Sequence, residues 1–586
     1  MITPTYFINP LDTPLSRKGS YLCFAGANGG SGEFGRSRLY LATCRGGTES
    51  MSSFNSENSC RQVTLEPMKD GKTYPSTVST TLSEVLLQTN VGELRFCLAE
   101  RTLALCKAEG GMGLRLTGLS SRGGTIIDFE NGCWRFPFHD QIMLLIPLKG
   151  KIKRTGGCTF EAVPDENGEL LLGMETYNLD PGERPLDSYP DYDASVKALE
   201  AEFDEFCKAL YPSLPAEFEP ARTKALFHTW AMMVEPGGGT IYRHPMVKMI
   251  RFLFEAAFGW QQGMQAICLS KDIKLAWNIL LSSFDAQDAN GRLADSIGYK
   301  SFSDTNMKPP FHGVALKWLM EHCDLSVIPV ESKKDLYDKM VKWTEFFYRF
   351  RDQDKDGVWE NLSMWETGWE DAAYFYVGFP LASPDMNAYT IIMMDALAML
   401  GREIGLPEEE CSAWTKRADI LTQKVIDMLW DGERWVCKNV RTGAIADSNS
   451  LPMFAALILG KRLPQEIIDK TIAYVFDEKN GFITPYGFAS ESIYSPRFRH
   501  GFTAGSVITP AQFIFCLALE EAGRFDLAKE MGQRYARTLR DNGFFHIHDP
   551  FTGYGDRTLV AFGEKLLFWS AWASSCYLFF AERYGE

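Results

Sequence analysis

Three carboxylates and two indoles share the short segment Trp365-Glu366-Thr367-Gly368-Trp369-Glu370-Asp371. Acids set among flat aromatic faces suit a sugar, whose apolar ring faces stack on indole while its hydroxyls seek polar groups. Breaking a glycosidic bond with inversion needs an acid for the leaving oxygen and a carboxylate to activate water, about 6.5–9.5 Å apart. Crowding predicts mutual repulsion that raises the proton affinity of at least one of Glu366, Glu370 and Asp371, as a general acid requires. Glu370 is the expected acid. Glu564, just before the last predicted helix, and His546, able to take a proton near neutral pH, are candidates for the base. The competing reading of the acids is a solvated helix start, favourable to the helix dipole.

The elements that must position these groups divide the chain in two. Before Ser195 helical periodicity is nearly absent, and strand signals dominate. VLLQT (85–89) and LRFCLA (94–99) flank a hairpin turn at 90–93, and segments near 141–147 and 169–174 bracket the turn signal PDENGE. GANGGSGEFGR (26–36) lacks the Gly-Lys-Ser/Thr ending of a phosphate loop and reads as a loop. The Pro-rich acidic stretch 180–193 reads as a linker between a β-sandwich over 1–190 and a helical domain over 191–586.

Apolar stripes at three- and four-residue steps predict helices near 196–211, 217–233, 260–283, 312–322, 333–350, 385–404, 407–430, 451–459, 464–475, 508–522, 526–541 and 565–583. Pro407 with Glu408 to Glu410 suits one helix start, and Gly405 the preceding end. Asp526 is placed as an N-cap and Gly543 as a C-terminal stop. Helices in hairpins with no strands between them predict a closed (α/α)6 toroid. A superhelical array is the alternative, against which no fixed repeat is found.

Composition limits the partners. A net charge of −15 excludes a nucleic-acid or anionic-membrane surface, and no apolar run is long enough to span a bilayer. The N-terminus lacks a signal-peptide pattern, and the 14 scattered cysteines form neither metal-ligand spacing nor a disulfide framework. A cytoplasmic protein with reduced thiols, no cofactor and no metal centre is expected; a homo-oligomer is compatible with these features. In DQDKDG, Asp352, Asp354, Asp356 and Gly357 fall at the first, third, fifth and sixth positions of a calcium loop. Its twelfth position is Ser363, so the segment reads as an acidic turn. IYRHPMVKMIR (241–251) reads as a surface charge cluster.

FGWQQGM (258–264), the 352–375 segment, and NGFFHIHDPFTGYG (542–555) with FGEKLLFWSAW (562–572) together resemble glycoside hydrolase family 63 and, more distantly, the family 37 trehalases. The resemblance spans about the last 340 residues and includes Phe568-Trp569-Ser570 at a helix start. It implies a sugar in the pit of a toroid, with Trp260, Gln261, Trp369, Asp371 and Arg499 positioning it and Glu370 as acid. Gln261 and Glu370 stand where those relatives have Asp, and His546 where they have the base Glu. Fold inheritance is thereby better supported than mechanism. His312 in KPPFHG (308–313) is expected as a substrate hydrogen-bond donor or a satisfied structural histidine.

These residues predict a glycosidase acting by inversion on a small α-linked glycoside or oligosaccharide. Because the base Glu is absent, a phosphorylase is the runner-up, with Arg499, His500, His546, His548 and Arg557 as its anion pocket, or as a pocket for an acidic sugar. A lyase or isomerase on the same fold, or a sugar-binding protein without catalysis, completes the alternatives.

Overall fold

In the computed structural model the described residues are 3–10, 12–26, 39–43, 62–118, 125–138, 141–177, 184–237, 239–249, 257–555, 560–561, 564–565 and 569–586, the side chains of 560–565 excepted. Two antiparallel sheets of eight strands each form the N-terminal part. One runs from Leu15–Ser16 through Gln62–Lys69 and Gly113–Gly118 to Lys151–Gly156; the other runs from Ile127–Asp128 through Gln141–Lys149 and Leu170–Tyr177 to Thr77–Thr80. The hairpin at 90–93 forms as expected, with Val85 opposite Phe96. Strands Gln141–Lys149 and Leu170–Tyr177 do pair, but a hairpin of the other sheet separates them in sequence. Inward-facing residues such as Leu65, Leu87, Phe96, Leu114 and Phe160 are buried between the sheets. Alternation of side chains along each strand places them there. The 26–36 loop lies outside the described residues beyond Gly26.

Among the described residues twelve α-helices follow: α1 Tyr192–Leu210, α2 Glu219–Met232, α3 Gly259–Cys268, α4 Ile273–Ser282, α5 His312–His322, α6 Val330–Phe350, α7 Pro384–Glu403, α8 Glu408–Leu429, α9 Gln465–Phe476, α10 Thr509–Glu521, α11 Phe525–Asn542 and α12 Ala571–Tyr584. Helices α3, α5, α7, the segment Leu451–Arg462, α10 and α12 each pack on the next, and α12 returns to α3. This closes an inner ring. Helices α2, α4, α6, α8, α9 and α11 back it from outside. The inner members are buried nearly all round, as α3 and α10 show, whereas α11 and α8 carry a single buried stripe. A helix covered on both sides has no solvent face to keep polar, which distinguishes the two layers in sequence.

Four local expectations are corrected. The 260–283 helix is two, because Ser270-Lys271-Asp272 breaks it and Asp272 caps α4 by accepting from Leu275 N. The inner segment Leu451–Arg462 is a 3₁₀ helix broken at Gly460 (φ 51°), and α12 starts at Ala571, later than 565. Asp526 lies inside the first turn of α11 and pairs with Arg524 instead of capping. Gly543 does end that helix, at φ 91°.

Close approach of inner helices depends on one glycine. A Cβ on Gly313 of α5 would stand 2.3 Å from Met393 Cα in α7. Gly313→Ala is expected to lower stability by about 1–3 kcal/mol, read as a drop in urea midpoint at unchanged slope.

Short ladders at one mouth of the ring set up the site. Ala257–Phe258, Leu381–Ala382 and Val507–Ile508 lead into the N-termini of α3, α7 and α10. Their antiparallel partners Ser296–Ile297, Glu360–Asn361 and Ile547–His548 place neighbouring polar residues at the same mouth. Among the described residues, no helix is long and apolar enough to cross a membrane, and the described cysteines are free thiols.

Candidate active site

Trp260 and Gln261 stand in the first turn of α3, and the 3₁₀ turn Met364–Glu366 delivers Trp369 and Glu370 against them. Gly368 permits this approach: its φ is +71°, and a Cβ there would lie 2.4 Å from the Trp260 ring. Trp260 makes edge-to-face contacts with Trp369 at 5.6 Å and Trp572 at 5.1 Å between centroids. Trp572 in turn meets His546 at 5.3 Å, and His546 meets Phe502 at 5.3 Å. An aromatic wall thus connects the 365–371 segment with the 545–548 ladder, residues nearly two hundred positions apart. Trp369 is fixed from behind, its Nε1 donating to Asp385 Oδ2 at 2.9 Å. Burial pushes the Asp385 carboxyl upward, opposed by the hydrogen bonds of Ser383 and Trp369.

The three acids of the segment diverge. Glu366 is buried and accepts from Arg351 Nη2 at 2.6 Å and from Leu362 N at 2.8 Å. Asp371 accepts from Thr503 N at 2.5 Å, Thr503 Oγ1 at 2.6 Å and Phe502 N at 3.2 Å, clamping the 499–503 loop. Both are therefore bracing residues instead of sugar ligands. The expected repulsion among the three acids is relieved, because each has its own donors. Glu370 differs from them in keeping one carboxylate oxygen without a protein partner. Its Oε1 accepts from Lys308 Nζ at 2.5 Å, while its buried Oε2 has no partner.

Lys308 links Glu370 to a further carboxylate. Its Nζ lies 3.6 Å from Asp295 Oδ1 and donates to Trp365 O at 3.1 Å, and its side chain is only 7% exposed. Burial works against the ammonium, but Glu370 and Asp295 outweigh it and raise its proton affinity. Burial raises the Asp295 carboxyl above the ordinary carboxylate range, against the Lys308 charge and with the Glu370 charge. An acidic residue that binds its proton more readily thus shares an ammonium with Glu370. Neither Lys308 nor Asp295 was singled out in the sequence. Their only signal was position: Lys308 opens the KPPFHG segment, and Asp295 precedes a strand too short to predict.

Other expected ligands divide. Gln261 is fully buried with both amide atoms unpartnered, whereas adjacent Gln262 is satisfied by Val247 N and O at 2.9 Å each. His546 is likewise buried with both ring nitrogens unpartnered, and burial pushes it down to about 3, so its imidazole is neutral. As a ready proton acceptor near neutral pH it is corrected; a neutral donor and acceptor for hydroxyls is what remains. His312 is structural: its Nε2 bonds Gly259 O at 3.0 Å, tying α5 to α3. Trp569 packs on Phe544 at 4.9 Å and donates its backbone N–H to Asp12 O at 2.8 Å, bracing ring against sandwich. Trp572, three residues on, takes the place expected of it in the aromatic wall.

Three described members of the expected anion pocket have protein partners. Arg499 Nη2 is spent on Asp371 O at 2.9 Å, His500 pairs with Asp549 at 3.2 Å, and His548 Nε2 bonds Gly543 O at 3.1 Å. In the 241–251 cluster, His244 pairs with Asp285 at 2.9 Å. The Glu564 side chain, Phe568, Arg251 and Arg557 lie outside the described residues. An open groove lined by Tyr486, Arg534, Arg537 and Asp541 shares no residue with this cluster.

A closed double ring of helices, with acids and indoles gathered at one mouth, defines the α/α-toroid class of carbohydrate-active folds. Comparison with solved structures agrees: glycoside hydrolase family 63 mannosylglycerate hydrolase from Thermus thermophilus superposes with a TM-score of 0.51 at 18% identity. That match covers 61% of this chain and 99% of the other. Residues 256–570 match the mannosylglycerate hydrolase MGH1-like glycoside hydrolase domain, and the chain belongs to that family. Mannosylglycerate hydrolase MGH1 of Selaginella moellendorffii is 21% identical over 313 residues, 42% of this chain and 62% of its own length. Mannosylglycerate hydrolase of Rubrobacter radiotolerans is 22% identical over 334 residues, covering 45% of this chain and 72% of its own. The chain therefore spans less than two thirds of the first of these relatives.

Proposed function

We propose that this protein hydrolyses a small α-linked glycoside at the mouth of the toroid, with Glu370 in contact with the glycosidic oxygen. One observation carries the reading: Gln261, His546, Trp572 and Glu370 Oε2 present buried polar atoms without protein partners along a single tryptophan wall. Buried polar groups are nearly always satisfied, so such a concentration marks where ligand hydroxyls complete the bonding. Ring faces of Trp260 and Trp572 would pack against apolar sugar faces.

Proton delivery falls to Asp295, Lys308 and Glu370 as a unit. The ammonium faces Glu370 as an ion-pair partner, and burial raises the proton affinity of Asp295 beside it. A glycosidic oxygen reaching Glu370 Oε2 would take the Glu370 carboxyl proton as the bond breaks, the Lys308 ammonium would neutralise the carboxylate left behind, and water attacking from the opposite face would give its proton to a base, for which Glu564 is the candidate. Gln261 and His546 would hold hydroxyls of the bound sugar. The two-domain division at 190/191 and a cytoplasmic setting, suited to reduced thiols, are part of the same proposal.

Mannosylglycerate, from the names of the relatives, is the first substrate to try, followed by a panel of nitrophenyl α-glycosides with and without phosphate. Proton NMR of the first product should show free sugar of inverted anomeric configuration, formed at a rate independent of phosphate. A sugar phosphate as product would establish phosphorolysis instead. Saturable sugar binding with no turnover on any panel member would leave a binding protein.

A further inference from the structure

The start of α7 grips the acid segment at three points. Asn387 Oδ1 accepts from Trp359 N at 2.9 Å while its Nδ2 donates to Trp359 O at 3.1 Å, and Ser383 Oγ accepts from Asn361 Nδ2 at 3.0 Å. The third grip is Asp385, whose Oδ2 takes the Trp369 indole N–H at 2.9 Å. Both partners are closed to solvent, Asp385 being 2% and Trp369 1% exposed. Burying a carboxylate to satisfy a neutral donor costs hydration. Other buried indoles of this chain manage without an acid: Trp414 and Trp435 donate to the hydroxyls of Tyr337 and Thr471, and the N–H groups of Trp230 and Trp343 have no partner. Satisfying an indole therefore does not by itself call for Asp385. What the acid adds is a charge-assisted bond, stronger and more directional than one to a hydroxyl. Its place in the first turn of α7, where the helix dipole favours negative charge, supports it.

The residue next to the indole gives that bond a use. Glu370 follows Trp369 directly, and Asp371 after it is held by Thr503 and Phe502. Glu370 thus stands between two anchored neighbours, one tied to an inner helix and the other to the 499–503 loop. Gly368, on the other side of Trp369, carries no side chain to hold the turn, so the contacts of the indole set the direction in which the chain leaves it. We propose that Asp385 is a positioning residue for the reaction, fixing Glu370 through the Trp369 indole. The inference rests on the assignment of Glu370 to the chemistry. A reacting group misplaced by about 1 Å can lose about 10²-fold in rate, so one hydrogen bond behind the wall bears on turnover.

The test is a double-mutant cycle in the full-length protein, with kcat taken per folded molecule on the glycoside that the wild type turns over best. Asp385→Ser keeps an oxygen suited to a helix start but is too short to reach the indole. It should lower kcat by about 10- to 100-fold at nearly constant KM, because Gln261 and His546 are untouched. Asp385→Asn still offers an acceptor oxygen and should recover most of that loss. Trp369→Phe removes the donor, keeps an aromatic ring and should itself lower kcat. In that background Asp385→Ser should cost less than about twofold more, as for residues that act as a unit. A merely structural Asp385 would lower Tm in both backgrounds and leave kcat per folded molecule intact. That result, or an equal loss of kcat with and without the indole, would overturn the proposal. Should Asp385→Ser fail to fold, Asp385→Asn takes its place in the cycle, with a smaller loss and the same non-additivity expected. A wild type that turns over no glycoside, or full turnover in Glu370→Gln, would bring down the hydrolase reading and this inference with it. Turnover that needs Glu370 but ignores Asp385 would bring down this inference alone.

Discussion

Glu370→Gln should lower kcat on the best glycoside of the panel by roughly 10²- to 10⁴-fold, the range for loss of a positioned proton-transfer group. KM should change little, because Trp260, Trp369, Gln261 and His546 remain to bind the sugar. The amide keeps the volume of the carboxylate and can still accept from Lys308, which is buried on it at 2.5 Å. The variant should therefore fold, as circular dichroism and its unfolding transition would establish. Asp295→Asn provides the companion measurement. If Asp295 sets the charge around Glu370 through the shared Lys308, the alkaline limb of the pH–rate profile, where the general acid loses its proton, should move while KM stays constant. Wild-type turnover in Glu370→Gln would remove Glu370 from the chemistry and leave the aromatic wall as a binding surface.

Acid should unfold this protein through its histidines. Burial pushes His312 down to about 4, His546 to about 3 and His548 to about 4. Each folded-state value lies below the unfolded one near 6.5, so the unfolded chain binds more protons on lowering the pH. The stability these imidazoles contribute is complete above pH 6.5 and is lost as pH falls toward 3–4. At pH 5 the loss is on the order of 2 kcal/mol for each imidazole, by linkage. A urea series between pH 5 and 7.5 should show the midpoint falling as pH drops. His546→Asn should flatten that slope, because its imidazole has no protein hydrogen bond to lose. An unchanged slope would mean that His546 is not buried in solution. The three histidines lie on one side of the ring, at α5 and at the ladder before α10, so the acid-sensitive region is the mouth itself.

Much of the fold was legible in the residues because its determinants are local. Three- and four-residue spacing gave helices from α5 to α11 nearly to their ends, and Gly405, Pro407 and Gly543 punctuated them where backbone conformation allows little choice. Strand alternation gave the sandwich. A helix near 451–459 was legible too, but not its 3₁₀ winding, since an inner helix covered on all sides has no polar face to define its period.

By itself the sequence determined two architectures in order, a net charge of −15, and a segment in which indoles and carboxylates alternate. Tertiary structure alone decided which groups face the mouth. It turned Glu366 and Asp371 to bracing partners, left Glu370 open, and brought Lys308 and Asp295 to it from other loops. The physical reason is range: periodicity and capping act within a few residues, whereas a carboxylate's role depends on whichever donor the fold sets beside it.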